Sequence, residues 1–129
     1  MNAQLAHYAD KLAYEIDSWD LSVALRNGAN VVVIDARAPD AYAREHIPGA
    51  INLPHLDNLD GDGNHRSMHE LAARFAGVGT APVVYCGSGV TACHDLLAMS
   101  IAGVTDARLY PGSWSDWSSQ PDRPIATGE

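Results

Sequence analysis

Short apolar runs alternate with stretches of helical periodicity along this chain. Val31–Ile34 is a continuous β-branched run that ends at Asp35, and shorter runs predict strands within residues 47–53, 82–86 and 107–110. Helical patterns lie between them: one that Asp17 or Ser18 caps and Gly28 ends, and others at 39–44, 67–75 and 90–102. This alternation predicts an α/β fold with a parallel sheet, right-handed crossovers and a functional site at the strands' carboxyl ends.

The two ends of the chain differ from this central part. Residues 1–14 predict a weakly amphipathic helix, which we interpret as an N-terminal extension of a single domain at 15–129. With 129 residues, 47% of them hydrophobic, the chain can bury one core without a metal or disulfide. The segment from Ser118 to Glu129 is expected to be loosely ordered.

Charge and composition exclude several classes of function. The formal charge is −8, and the one lysine and seven arginines are scattered, which argues against nucleic acid as a partner. No apolar run approaches about 18 residues, so we expect no membrane span. The acidic loop at 57–66 lacks the glycine and glutamate of a calcium loop, so no metal is expected. Two cysteines only seven positions apart make a poor disulfide framework, which favours a reducing compartment, the cytoplasm.

The stretch from Val83 to Cys93 carries the strongest chemical signal. Cys86 follows a predicted strand and precedes a predicted helix, so it faces unpaired backbone amides and the positive end of a helix dipole. Gly87 and Gly89 permit positive φ angles that would curl those amides inward as an anion nest. Both features favour a thiolate at Cys86, although a buried structural cysteine beside a turn remains the alternative.

The helix after this loop is predicted to bury one apolar face, formed by Val90, Cys93, Leu97 and Ile101. Cys93 is therefore expected to be a small buried packing residue and not a resolving thiol for Cys86.

The run CGSGVTAC at 86–93 resembles the active-site loop of the rhodanese superfamily, and within it that of the 3-mercaptopyruvate sulfurtransferases. Two further regions support the resemblance. Asp35-Ala36-Arg37 with the segment 46–52 (HIPGAIN) is similar to the superfamily's upstream signature, and residues 110–117 (YPGSWSDW) are similar to its downstream segment. Order and spacing agree over residues 16–118.

This resemblance implies a rhodanese-like three-layer fold, with a mostly parallel central sheet of about five strands and helices on both faces. It also implies a sulfurtransferase without a cofactor, in which Cys86 takes sulfur from a small anionic donor as a persulfide. A thiol, either small or on a thioredoxin-like protein, or cyanide then removes the sulfur. The residues expected to bind substrate are Gly87, Ser88, Gly89, Val90, Thr91 and Arg37, with Asp35, Ser113 and Trp114 as a possible pocket wall. Arg37 could pair either with Asp35 or with the donor's carboxylate.

The neutral loop favours 3-mercaptopyruvate as donor over thiosulfate, since a dianion would need basic side chains after the cysteine. Glu45 and Pro111 depart from the superfamily pattern, so thiosulfate and a persulfide-carrier role stay open. A non-catalytic binding module is a further alternative, although such modules commonly lack the cysteine. A rhodanese-like phosphatase would require an arginine where Thr91 or Ala92 stands.

Overall fold

The computed structural model describes residues 2–128 and has the α/β architecture that the sequence predicts. The strands are β1 (Val33–Asp35), β2 (Ile51–Asn52), β3 (Val83–Tyr85) and β4 (Arg108–Leu109). The helices are α1 (Ala3–Tyr14), α2 (Ser18–Arg26), α3 (Pro39–Arg44), α4 (Met68–Arg74), α5 (Ala92–Ile101) and α6 (Ser113–Trp117), with a 3₁₀ helix at His55–Asn58.

The sheet is parallel, with the strand order β2-β1-β3-β4. Four strands are observed where about five were expected. Along the free side of β4, Glu15 forms a single parallel bridge with Leu109, and the Ile16 amide donates to the Leu109 carbonyl at 2.9 Å. The chain turns into α2 directly afterwards, so a fifth strand is reduced to this one bridge.

Alternate side chains of the central strands enter two different core layers, which confirms the three-layer fold. Ile34 and Val84 pack on one face against a cluster that includes side chains of α4 and α5. Val33 and Val83 pack on the other face with side chains of α2 and α6. Both central strands are therefore buried on both faces, as their continuous apolar sequence indicates.

Local signals in the sequence set several helix ends. Asp17 caps α2, where its Oδ1 accepts from the Asp20 amide at 2.8 Å, and Gly28 follows the helix with φ +68°. Ser67 and Glu70 form a reciprocal capping box at the start of α4.

The predicted buried face of α5 was wrong. Val90 is 73% exposed and Leu97 51% exposed, whereas Ala92, Asp95, Ala98 and Met99 are fully buried. The helix contacts β3, β4, α4 and the 3₁₀ helix through these buried residues. Val90 and Leu97 therefore lie on the outer side, whereas Ile101 is partly buried against the core.

Residues 118–128 are packed against the domain, contrary to the loose order that was expected, and Glu129 lies outside the described residues. Trp117 Nε1 donates to the Pro124 carbonyl at 3.0 Å, and Arg123 Nη2 donates to Ser18 Oγ at 2.9 Å. His46 and Ala126 exchange two backbone hydrogen bonds of 2.9 Å. Tertiary partners thus fix a segment whose own sequence has little periodicity.

Helix α1 stands apart from the core because none of its residues is buried. Within the described part of the chain, the helices are too short or too polar to cross a membrane.

A buried polar chain joins the 3₁₀ helix to α4 and α5. Asn58 Nδ2 donates to Asp95 Oδ1 at 2.7 Å, and Arg74 Nε donates to Asn58 Oδ1 at 2.9 Å. Asp95 is fully buried, and its Oδ2 has no hydrogen-bond partner among residues 2–128. Burial raises the pKa of Asp95 to about 6, and the Asn58 hydrogen bond offsets only part of that effect.

The stability difference between wild type and Asp95→Asn should therefore depend on pH. Asp95 titrates near 3.8 when unfolded and near 6 when folded, so its stabilising contribution is complete below pH 3.8 and is lost as pH rises through 6. Between pH 4 and 8, the free energy of unfolding of the variant should rise relative to wild type by about 2 kcal/mol. Urea unfolding of both proteins at each pH measures this change, and a difference independent of pH would contradict it.

Candidate active site

Cys86 lies directly after β3, at the carboxyl edge of the sheet, and its side chain is only 1% exposed. The Gly89 amide donates to its Sγ at 3.1 Å. Ser113 lies behind the cysteine: its Oγ accepts from the Cys86 amide at 3.1 Å, donates to the Tyr110 carbonyl at 3.0 Å and lies 3.9 Å from Sγ. The thiol is thus held between a loop amide and a buried hydroxyl.

The loop that follows Cys86 presents unpaired backbone donors. Among residues 2–128, the amides of Ser88, Val90 and Thr91 have no acceptor, and α5 begins at the next residue. Such amides, together with the positive end of the helix dipole, attract an anion. The backbone of residues 86–91 thus has donors available for an anion, and anion binding by this loop stays a prediction.

The two loop glycines have different roles, and only one of them adopts the positive φ that the sequence permits at both. Gly89 has φ +94°, and a Cβ at this position would lie 2.3 Å from the Pro111 carbonyl oxygen. Gly87 is not in the positive-φ region, and a Cβ there would meet nothing within 4 Å. Only Gly89 is required by backbone geometry and close approach.

The first residues of α6 form backbone hydrogen bonds to the cysteine loop. The amides of Trp114 and Ser115 donate to the carbonyls of Cys86 and Gly87 at 2.9 and 3.0 Å. Ser113, which precedes them, adopts φ +56°, an uncommon conformation for a residue other than glycine. The N-terminal amides of this helix thus find their acceptors in the cysteine loop.

Asp35 and Arg37 form a buried ion pair beside this loop. Arg37 Nε lies 3.1 Å from both Asp35 carboxylate oxygens, and its Nη2 donates to Oδ2 at 2.8 Å. Tyr85 donates its hydroxyl to the same Oδ2 at 2.7 Å and accepts from the Ile47 amide at 3.1 Å. Burial, followed by the charge of Asp35, raises the pKa of Tyr85, so this phenol stays a neutral donor.

The remaining expected site residues differ in how far they are exposed to solvent. Trp114 is half-buried, and its ring stacks on the Arg37 guanidinium at 4.9 Å from the ring centroid. Asp35 and Ser113 are completely buried, so they support the site from behind and do not form an exposed pocket wall. Ser88 and Val90 are exposed at the mouth of the loop.

The sequence did not indicate two structural partners of the site. Tyr85 looks like an ordinary strand residue, yet its hydroxyl links Asp35 to Ile47. The Pro111 carbonyl oxygen leaves no room for a Cβ at Gly89. A proline in the sequence does not predict such a contact. Both contacts join residues far apart in the chain.

Cys93 is exposed, which corrects its assignment as a buried packing residue. Its Sγ lies 3.6 Å from the Gly89 carbonyl oxygen. Partial desolvation raises the pKa of Cys93, and the nearby Cys86 and Glu15 raise it further. Cys93 is consequently accessible but disfavoured as a thiolate.

Comparison with known proteins identifies a family for this chain, because the rhodanese-like domain family matches residues 20–120. A Pseudomonas aeruginosa protein provisionally named 3-mercaptopyruvate sulfurtransferase is 42% identical over 113 residues, covering 77% of this chain and 40% of that protein. A Mycobacterium tuberculosis protein provisionally named thiosulfate sulfurtransferase SseB is 38% identical over 121 residues, covering 84% and 42%. The chain thus spans about two fifths of the length of these curated relatives.

A crystal structure of a Bacillus halodurans protein has the same fold. Its TM-score is 0.75 at 22% identity, and the match covers 96% of this chain and 84% of that one.

We expect Gly89→Ala and Gly87→Ala to differ sharply in stability. The Gly89 variant combines positive φ with a Cβ that collides with the Pro111 carbonyl, and should lose about 1–3 kcal/mol of unfolding free energy. The Gly87 variant meets open space and should stay within about 0.5 kcal/mol of wild type. Urea unfolding measures both values, and equal losses would mean that the Pro111 contact does not restrict the loop.

Proposed function

Because this chain belongs to the rhodanese-like domain family, we propose that it is a sulfurtransferase that carries the transferred sulfur on Cys86. The observation that supports this most directly is the loop itself: Sγ accepts from the Gly89 amide at 3.1 Å, and further free amides follow in the next residues. The sulfurtransferase names of the relatives give independent support.

In the proposed reaction, the Cys86 thiolate attacks the outer sulfur of the donor. A new S–S bond forms as the donor's bond to that sulfur breaks, and its electron pair leaves with pyruvate, which takes a proton, or with sulfite. An acceptor thiolate then attacks the outer sulfur of the Cys86 persulfide and releases the Cys86 thiolate. The acceptor, a small thiol or a thiol of a thioredoxin-like protein, completes a two-step cycle that requires no cofactor.

The chain's own groups stabilise charge in both steps. The Gly89 amide donates to the sulfur that becomes negative, and further amides of the loop are free to bind the donor. The hydroxyls of Ser88 and Thr91 belong to the same loop and would donate to the donor or pass a proton to the leaving group. The free thiols of Cys86 and Cys93 suit a reducing compartment such as the cytoplasm.

We assign Arg37 a structural role, because its side-chain donors are already hydrogen-bonded within the domain. Its Nε and Nη2 are engaged with Asp35, and Nη2 also donates to the Glu45 carbonyl at 2.6 Å. A donor carboxylate would have to compete with these partners, so we assign donor recognition first to the loop amides. This neutral set of donors favours a monoanion, and 3-mercaptopyruvate is the proposed donor, ahead of thiosulfate.

A persulfide-carrier role is the second candidate, because Glu45 and Pro111 depart from the superfamily pattern. A carrier would accept one sulfur on Cys86 and pass it to a partner protein without efficient turnover of a small donor. Single-turnover loading with slow multiple turnover would distinguish this role from catalysis.

Treatment with 3-mercaptopyruvate should add about 32 Da to Cys86 and nothing to Cys93. Only Cys86 faces the loop amides, whereas the pKa of Cys93 is raised by partial desolvation. Peptide mass spectrometry measures the adduct, and Cys86→Ser should lose sulfur transfer by at least about a thousandfold, as expected for removal of a nucleophile. The matched control Cys93→Ser should keep transfer within about twofold. An adduct confined to Cys93, or activity in Cys86→Ser, would refute the proposed nucleophile.

Loop charge should set donor preference. In Gly87→Arg/Ser88→Lys, the ratio of kcat/KM for thiosulfate to that for 3-mercaptopyruvate should rise by at least about tenfold, since the dianion gains more from two added cations. Both positions can accept side chains, because Gly87 faces open space and Ser88 is exposed. The neutral control Gly87→Gln/Ser88→Gln should leave the ratio unchanged, and salt should reduce the shift. An unchanged ratio at low ionic strength would place donor selection outside the loop.

A further inference from the structure

A cavity of about 600 Å³ lies between α1 and the body of the domain, separate from the cysteine loop. Its apolar wall comprises Tyr8, Leu12, Ile16, Tyr110 and Pro111, and none of residues 86–91 lines it. This volume lies in the range of about 300–1,000 Å³ that is typical of small-molecule sites. The cavity is therefore large enough for a ligand that the proposed sulfur transfer does not require.

Arg108 supplies a cation without an ion-pair partner in the wall of this cavity. The residue is half-buried, and no carboxylate among residues 2–128 lies within ion-pair distance of its guanidinium. A guanidinium matches the geometry of a carboxylate and can bind one through two hydrogen bonds. The cavity thus offers one cationic group to an incoming acceptor.

Two acidic residues of the wall are already paired. Glu15 accepts from Lys11 Nζ at 2.7 Å. Asp116 accepts from the Tyr110 hydroxyl at 2.5 Å and lies 3.5 Å from Arg123 Nη1. Neither carboxylate needs a cation from a ligand.

Asp17 and Asp20 also line the cavity and limit the negative charge that it can accept. Asp17 Oδ1 is used to cap α2, but both residues are exposed and keep their charge facing solvent on this side. A single carboxylate on Arg108 is compatible with them, whereas a phosphate dianion would be repelled.

We propose that this cavity binds a small monocarboxylate with an apolar or aromatic body. The carboxylate accepts from Arg108, and the body packs against Tyr8, Leu12 and Ile16. Helix α1 closes the cavity without burying any residue of its own, and its carboxyl end is fixed by the hydrogen bond between Ile16 and Leu109. A ligand at this position would add the packing that α1 lacks, and its binding is independent of sulfur transfer.

The test uses 3-phenylpropanoate and its neutral analogue 3-phenylpropanamide in NMR titrations of the ¹⁵N-labelled protein. The acid should shift amides near Tyr8, Ile16 and Arg108, with a dissociation constant at least about tenfold lower than that of the amide, as expected for a charge-assisted hydrogen bond. Inorganic phosphate should not shift these amides. The Cys86→Ser protein should bind the acid as wild type does.

Variants separate the role of Arg108 from the fold. Arg108→Met should abolish the preference for acid over amide, whereas the control Arg44→Met, at an exposed position outside the cavity, should retain it. Leu12 is 83% exposed, so Leu12→Asp should preserve the fold and weaken binding of the acid more than of the amide. Equal affinities for the two probes in wild type, shifts centred on residues 86–91, or no binding up to about 10 mM would overturn the proposal.

Discussion

The buried ion pair between Asp35 and Arg37 constrains the carboxyl edge of the sheet, where the candidate active site lies. A carboxylate without solvent is costly unless its oxygens are hydrogen-bonded, and Asp35 accepts from the Arg37 side chain, the Arg37 amide and the Tyr85 hydroxyl. Arg37 in turn donates to the Glu45 carbonyl and stacks on Trp114. One carboxylate thereby joins the ends of β1 and β3 to α6 and to the turn after α3.

The cysteine loop is joined to this network at its first residue. Tyr85, which contacts Asp35, is the residue immediately before Cys86, and Trp114, which contacts Arg37, donates its amide to the Cys86 carbonyl. The loop therefore needs no compact core of its own. Its carbonyl groups at Cys86 and Gly87 are bonded to α6, the Gly89 amide donates to Sγ, and the amides of Ser88, Val90 and Thr91 remain free among the described residues. Preorganised donors of this kind stabilise a developing charge without reorganisation.

Sequence patterns predicted the features that arise from local chemistry. The strand, loop and helix around Cys86, the cap at the start of α2, and the positive φ of Gly89 all depend on a few neighbouring residues. The sequence patterns missed or wrongly predicted the features that depend on residues far away in the chain. Cys93 shares the spacing of a buried helical face, but its exposure follows from how closely α5 approaches its neighbours. Similarly, the C-terminal segment is ordered by His46 and Ser18, which lie far away in the sequence.

The segment Pro111–Gly112 connects the loop to the cavity beneath α1. The Pro111 carbonyl approaches Gly89 so closely that no Cβ fits between them, and Pro111 also lines the cavity. Its pyrrolidine ring fixes φ, and Gly112 is held by the Asp116 side chain, which would lie 2.6 Å from a Cβ at that glycine. Because Asp116 is itself bonded to Tyr110 and paired with Arg123, this segment has little freedom to move alone. One short, restrained segment therefore supplies both a wall of the cavity and the carbonyl that confines Gly89.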